Sequence, residues 1–428
     1  MNHKLTPLGL VFLAPLTALA VDVGPFVING FVKVETGRTS NVCEDCQTAP
    51  NENRHRPWAD AITNAKPFGT KDGSVSLVQP YIGTKDFNLG QGFKVRGLWS
   101  QRWRDGKVDI PGVEYEKNIT FTHEDYGNLQ LGAFPTRGWS SADYPYGTQI
   151  GVADAWGASG SGYGLLTRAI RYSLPTQYAW GGDMHLEASY DFGGRGYVHR
   201  PAFLELFAQY VGGPWVIEGV VQKARNGLPS AWTHGPFVGV TAEAANDMST
   251  GPGNEQSILM VMARYKMDAK TVLFAGLRHN DWSGAKGNYV RWTPNGDIWN
   301  DMFNIACSGA CDPSAVSAYG ARSEDFSLGF TRKLNEKFTL NAGMVHLGKA
   351  RTKNPVERGQ SNTMTLAALG LGYEIQPGWS VYGFTGAVNY GRKGLAPLSM
   401  PGHSSFSGID SRVATHGNWA GLGTVYSF

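Results

Sequence analysis

Residues 113–134 read VEYEKNITFTHEDYGNLQLGAF, and their alternation decides the fold class. Val113, Tyr115, Ile119 and Phe121 share one parity, while Glu114, Glu116, Asn118, Thr120 and Thr122 share the other. A period of two describes a strand with one apolar and one wet face. Glu124-Asp125-Tyr126-Gly127 then turns the chain. From Asn128 to Phe134 the alternation resumes, with Leu129, Leu131 and Ala133 on one side and Asn128, Gln130 and Gly132 on the other. Two such runs around a short polar turn predict a hairpin. The next stretch, PTRGWSSADYPYGTQIGVADAWGASGSGYG at 135–164, is longer than a plain connector and is a functional candidate. A further strand is expected at Leu165 to Leu174.

Outward from this hairpin the same rhythm recurs. Strands are expected near 26–35, 74–83, 91–104, 184–191, 202–211, 215–223, 257–267, 271–280, 326–334, 338–347, 363–375, 379–390 and 417–428. Long loops near 37–73, 135–163, 225–255, 281–323, 348–362 and 391–415 alternate with tight turns such as Lys85-Asp86, Gly212-Gly213-Pro214 and Gln376-Pro377-Gly378. The total is about sixteen strands, an even number that leaves both termini at one end, as outer-membrane barrels require. Short turns would face the periplasm and long loops the exterior. The expectation is an all-β transmembrane antiparallel barrel in one domain, spanning 21–428. A secreted soluble β-protein is the alternative.

Three pieces of this region resemble the Gram-negative general porin family. TFTHEDYGNLQLGAF at 120–134 is similar to the strand, turn and strand before that family's constriction loop. GTKDFNLGQGFKVRGLW at 83–99 resembles its Asp-containing turn and Gly-rich strand, and AIRYSLP at 169–175 a characteristic strand end. The resemblance covers about the first two-fifths of the chain and the last strand. It implies sixteen strands, a loop after Phe134 folded into the lumen, a homotrimer, small hydrophilic solutes, and contact with outer-membrane lipid and lipopolysaccharide. Ala133 and Phe134 stand where many members carry Arg and Gln, and the loop lacks a Pro-Glu-Phe-Gly found in some, so ion selectivity does not carry over.

Residues 1–20 have the form of a cleavable signal peptide: Lys4, an apolar run from Leu8 to Ala20, and the small-x-small Ala18-Leu19-Ala20. The run is shorter than the ~18 residues of a spanning helix, which disfavours a signal anchor. Export to the outer membrane follows. Cleavage would remove only Lys4 from 38 basic residues, against 35 acidic, so no nucleic-acid partner is expected. Mean hydropathy is −0.27 although 12% of residues are aromatic and 56 are Gly, as expected where lumen-facing polar residues offset lipid-facing ones. The four cysteines form two close pairs, Cys43 with Cys46 and Cys307 with Cys311. In an oxidising compartment disulfides are the default, with three connectivities open; a zinc site is the alternative.

A terminal Phe428 on an alternating last strand resembles the signal that outer-membrane proteins present to their assembly machinery. Trp215, Trp379, Tyr265, Tyr373 and Phe338 fall at strand ends, where an interfacial girdle would lie. Parity turns Lys33, Lys94, Arg96, Arg102, Arg104, Arg171, Arg264, Lys266 and Lys333 toward the lumen and leaves Lys117 and Arg168 on the apolar side. The long loop adds Arg137, Asp143 and Asp154. Folded inward, its acids would oppose the bases Lys33, Arg96, Arg102 and Arg171 across a constriction and give a weak anion preference. Gly-x-Ser-x-Gly, His-Glu-x-x-His and Walker patterns are absent from the sequence. The reading is therefore a cofactor-free diffusion channel. A channel selective for a small anion or aromatic acid, suggested by inward Phe203 and Phe207, is the alternative, with an outer-membrane hydrolase (His403-Ser404) or an adhesin behind it.

Overall fold

In a computed structural model the chain forms a closed, sixteen-stranded antiparallel β-barrel. The structure describes residues 20–40, 72–108, 114–138, 165–193, 202–225, 254–284, 321–349, 351–352, 363–390 and 416–428. The wall strands are β1 Phe26–Ser40, β2 Asp72–Thr84, β3 Phe93–Ser100, β4 Glu116–His123, β5 Gly127–Pro135, β6 Leu165–Ser173, β7 Gly182–Asp191 and β8 Ala202–Gly212. They continue as β9 Trp215–Arg225, β10 Asn254–Lys266, β11 Thr271–Gly284, β12 Ala321–Lys333, β13 Phe338–Leu347, β14 Met364–Gln376, β15 Trp379–Tyr390 and β16 His416–Ser427. Each pairs with its sequence neighbour, and β1 pairs with β16 from Phe31↔Ser427 to Ser40↔Asn418. Full closure leaves no open sheet edge, which is what a wall standing in hydrocarbon needs.

Phe428 completes that seam. Its amide donates to Gly30 O at 3.0 Å and its carbonyl accepts from Gly30 N at 2.9 Å. Short polar residues fix tight turns at the same end of the barrel. The Asp268 carboxylate accepts from the amides of Lys270 and Thr271, each at 2.7 Å, and Asn335 does the same for Lys337 and Phe338 at 2.9 and 2.8 Å. Those amide donors hold the Asp268 carboxyl below its ordinary value, the Lys270 amide most of all.

Two turns differ from the sequence reading. The connection after β2 does not end at Lys85-Asp86: Phe87–Gly90 pairs back onto Phe93–Val95, so the hairpin reaches to Gln91-Gly92. Positive φ at Gly90, Gln91 and Gly92 makes the reversal there. Likewise Gln177–Ala179 pairs with Gly182–Met184 around Trp180-Gly181. The connections 101–115 and 192–201 lie at the same end as the long loops, so length alone does not mark that end.

Alternation sorts the two faces. On β9, Trp215, Ile217 and Val221 are exposed while Glu218, Val220, Gln222 and Ala224 are buried on the inward side. Leu259, Leu277, Leu328, Leu369 and Leu422 continue the outward apolar band around the barrel. The aromatics expected at strand ends sit on this outward face beside the short turns: Trp215 meets Tyr265 with ring centroids 4.6 Å apart, and Phe338 meets Tyr373 at 4.8 Å.

Candidate pore constriction and lumen wall

β5 delivers the chain to the long loop through Thr136, Arg137 and Gly138, and buried carboxylates on the nearby strands β7 and β8 receive it. Glu205 on β8 accepts from the amide of Arg137 at 2.7 Å and that of Gly138 at 3.0 Å, and Gln222 on β9 donates to it at 2.5 Å. Backbone that leaves a sheet loses its ladder partners, and a carboxylate with several lone pairs can take two amides at once. Glu187 on β7 holds the Arg137 guanidinium through a two-pronged contact, with Nη2 at 2.6 Å from Oε1 and Nε on Oε2. Ser173 on β6 adds a bond to Glu187 at 2.9 Å.

Arg171 on β6 completes the cluster. Its Nε donates to Ser189 Oγ at 2.8 Å and its Nη2 to Pro135 O at 2.9 Å, while Glu205 and Glu187 lie 3.6 and 3.8 Å away. The guanidinium also lies 4.4 Å over the Phe134 ring. Glu116 on β4 stands at the margin and accepts from Asn118 Nδ2 at 2.6 Å; that amide also donates to Ala133 O at 3.0 Å. Buried charges survive only when paired and hydrogen-bonded, and Arg137, Arg171, Glu187 and Glu205 each have such partners. The cluster pins the root of the long loop to the lumen side of β6–β9.

Three smaller groups occupy other inward positions. On β1, Lys33 meets Glu35 at 3.2 Å, and Tyr382 of β15 donates its hydroxyl to Glu35 at 2.7 Å. Arg102 donates to Gln79 at 2.7 Å and lies 4.4 Å over Tyr115 and 6.0 Å from Phe31. Arg278 on β11 pairs with Asp325 on β12 at 2.8 Å, and Asp325 also takes the amide of Gly348 at 2.8 Å where the chain leaves β13.

The inward face is not polar throughout. Ile258 and Met260 on β10, Val345 and Leu347 on β13, Met364 and Leu366 on β14, and Tyr382, Phe384 and Trp419 on β15 and β16 belong to one buried apolar cluster. Three of its rings lie against glycines directly opposite across the β15–β16 ladder: Tyr382 faces Gly423, Phe384 faces Gly421, and Trp419 faces Gly386. A Cβ at any of these glycines would collide with the ring it faces. Glycine thus supplies the notch in which a flat aromatic ring covers the wall.

Of the residues expected at the constriction, Arg137 and Arg171 come together in one cluster, and Lys33 and Arg102 face the lumen in separate groups. Arg96 takes the inward parity through its pairing with Thr120, yet it is exposed, near the short-turn end of β3, apart from that cluster. Asp143, Asp154, Cys43, Cys46, Cys307, Cys311 and the signal segment lie outside the described residues. At the described root of the loop a loop base, Arg137, meets the wall acids Glu187 and Glu205. Arg264 is inward and 3.5 Å from Glu218, whereas Lys266 and Lys333 are exposed at the short-turn rim. Lys117 and Arg168 are exposed on the outward face near the long-loop end, and Lys117 pairs with Glu114 at 3.1 Å. Tyr115 leaves the alternation of β4 and is buried against Arg102.

Sequence reasoning passed over Glu187, Glu205, Glu218 and Asp325. Their signal was present: Glu205 shares the inward parity of Phe203 and Phe207, and both rings are buried as that parity requires. Among the described residues no group of three His, Cys, Asp or Glu side chains could hold a metal ion.

No protein-family model and no curated protein matches the chain. Solved structures do. OmpT, an outer membrane protein of Vibrio cholerae, is 12% identical with a TM-score of 0.56, over 96% of this chain and 100% of its own. An anion-selective porin from Comamonas acidovorans is 11% identical with a TM-score of 0.56, over 94% of this chain and 99% of its own. The outer membrane channel DcaP of Acinetobacter baumannii is 13% identical with a TM-score of 0.53, over 94% of this chain and 97% of its own. At such identities the likeness is one of architecture, and by architecture this chain is a barrel of the sixteen-stranded porin type.

Proposed function

We propose that the protein is an outer-membrane channel through which small hydrophilic solutes diffuse passively, without cofactor and without catalysis. The observation that carries this reading is the buried cluster of Arg137, Arg171, Glu187 and Glu205, which draws the root of the long connection after β5 to the lumen side of a closed wall. A closed barrel satisfies its backbone in lipid, and a loop root drawn inward narrows the path. Residues 1–20 act as the export signal and 21–428 form the barrel. The working assembly is a homotrimer embedded among outer-membrane lipid and lipopolysaccharide; a trimer form is reported for the OmpT of Vibrio cholerae. Stepwise conductance after insertion into a planar bilayer tests the channel, and a purified, folded protein that never conducts would refute it.

A second reading is favoured by the ring-lined arc of Tyr382, Phe384 and Trp419 beside Lys33: selectivity for a small aromatic acid. Micromolar benzoate-type solutes should then block ion current in short events; acetate at equal concentration should not.

A further inference from the structure

The two rims of the lipid-facing surface carry different chemistry. Beside the short turns stand Trp215, Tyr265, Phe338, Tyr373, Trp379 and Tyr426, the residue types suited to an interface of mixed polarity. At the opposite end of the same outward rows stand charges. β9 ends in Lys223 and Arg225, both exposed, where its other end carries Trp215.

On β9–β12 the register lines up these charges. Lys223 is opposite Ser257, Ser257 opposite Asp281, Asp281 opposite Arg322, and Arg322 opposite Arg351 of the two-residue extension Arg351–Thr352. With strands about 4.8 Å apart, the row runs about 19 Å along the barrel girth. One level nearer the membrane centre come Val221, Leu259, His279 and Glu324, with His279 and Glu324 paired at 2.6 Å. Beyond them the outward face is apolar, with Leu277 at 67% and Leu328 at 48% exposure. The charged row therefore sits just above the hydrocarbon, at headgroup height.

Arg322 and Arg351 are both exposed and directly opposed across one ladder. Like charges in that relation destabilise a sheet unless an anion lies between them. Asp281, on the other flank of Arg322, offsets one charge, and Glu324 is engaged by His279. Two guanidinium forks so placed suit a phosphate group, which takes parallel N–H bonds from such a fork.

We propose that this row binds the phosphate of a phosphorylated lipid headgroup, with Arg322 and Arg351 as its two arms. The site rests on the membrane orientation given above but not on conductance. The outward parity and the apolar rows directly beneath point to a lipid rather than to free phosphate.

The test is native mass spectrometry of the full chain in mild detergent with bisphosphorylated lipid A, the same glycolipid without phosphates, and inorganic phosphate as competitor. Only the phosphorylated lipid should remain bound. The pair Arg322→Gln with Arg351→Gln should lower retention about tenfold or more, from roughly 1 kcal/mol per cation near a charged lipid surface. Arg322→Lys with Arg351→Lys should lose less, and Lys270→Gln at the opposite rim should change nothing. If the double Gln variant misfolds, as judged by heat-modifiable migration, Arg351→Gln alone tests the point, because its segment is two residues long. Equal retention by the Gln variants, equal retention of dephosphorylated lipid, or displacement by millimolar inorganic phosphate would each overturn the proposal. Channel failure reads out separately: retained lipid on a protein that never conducts refutes the channel and leaves the site standing.

Discussion

Two arcs of the inner wall obey the same alternation, and only one of them carries a network of buried charges. On β6–β9 the inward Arg171, Glu187, Glu205 and Gln222 are tied by charge-assisted bonds among the buried apolar Phe203, Phe207, Val220 and Ala224. On β13–β16 the inward residues include Val345, Leu366, Phe384 and Trp419, with glycines opposite the rings. The difference follows from what each arc must hold. Beside β6–β9 the backbone leaves the sheet at Arg137 and Gly138, and its amides need acceptors. Along β15–β16 the ladder is unbroken, so flat rings can cover it.

If the charged arc is a matched set, removing one member should cost more than overpacking the other arc. Glu205→Ala strands two amides and uncouples Arg171, so a loss of about 3–5 kcal/mol is expected, the range for breaking a buried pair. Urea titration of the barrel in detergent measures it, and a loss below about 1 kcal/mol would mean that water replaces the carboxylate. Gly421→Val attacks the other arc. Its Cβ would press on the Phe384 ring and lie 2.6 Å from Thr36 O, and overpacking of this kind costs about 1–3 kcal/mol. The smallest effect belongs to the contact of the apolar arc with β1. Tyr382→Phe removes one hydroxyl donor from Glu35 while Lys33 remains 3.2 Å away, so the expected cost is about 0.5–1.5 kcal/mol. Outside both arcs, free thiols at Cys43, Cys46, Cys307 and Cys311 in non-reducing peptide maps would exclude the disulfides expected from their spacing.

The wall itself was largely legible in the alternation. Sixteen runs and an even parity follow from residues such as Leu129, Leu131 and Ala133, because period two is local information. The site was legible only by half. Arg137, Arg171, Lys33 and Arg102 carry parity and charge, whereas which of them meet depends on register between distant strands, and Glu205 lies 68 residues from the amide it accepts. The turn at Gln91-Gly92 was missed because Lys85-Asp86 offers an equally good turn pair nearer to β2. Tyr115 deceived for another reason: its parity is apolar, but β4 begins only at Glu116, so alternation no longer binds it.

Paired charge also bears on transport. A wall of unopposed Arg would favour anions strongly, whereas Arg171 beside Glu187 and Glu205, Lys33 beside Glu35, and Arg278 beside Asp325 leave little net field. The most direct test is the reversal potential of the inserted protein in a tenfold potassium chloride gradient. Stepwise conductance should appear, with a small reversal potential on the anion side that shrinks further as total salt rises and screening shortens the reach of each charge. Absence of conductance, or near-ideal selectivity that persists at molar salt, would contradict a channel lined by matched pairs.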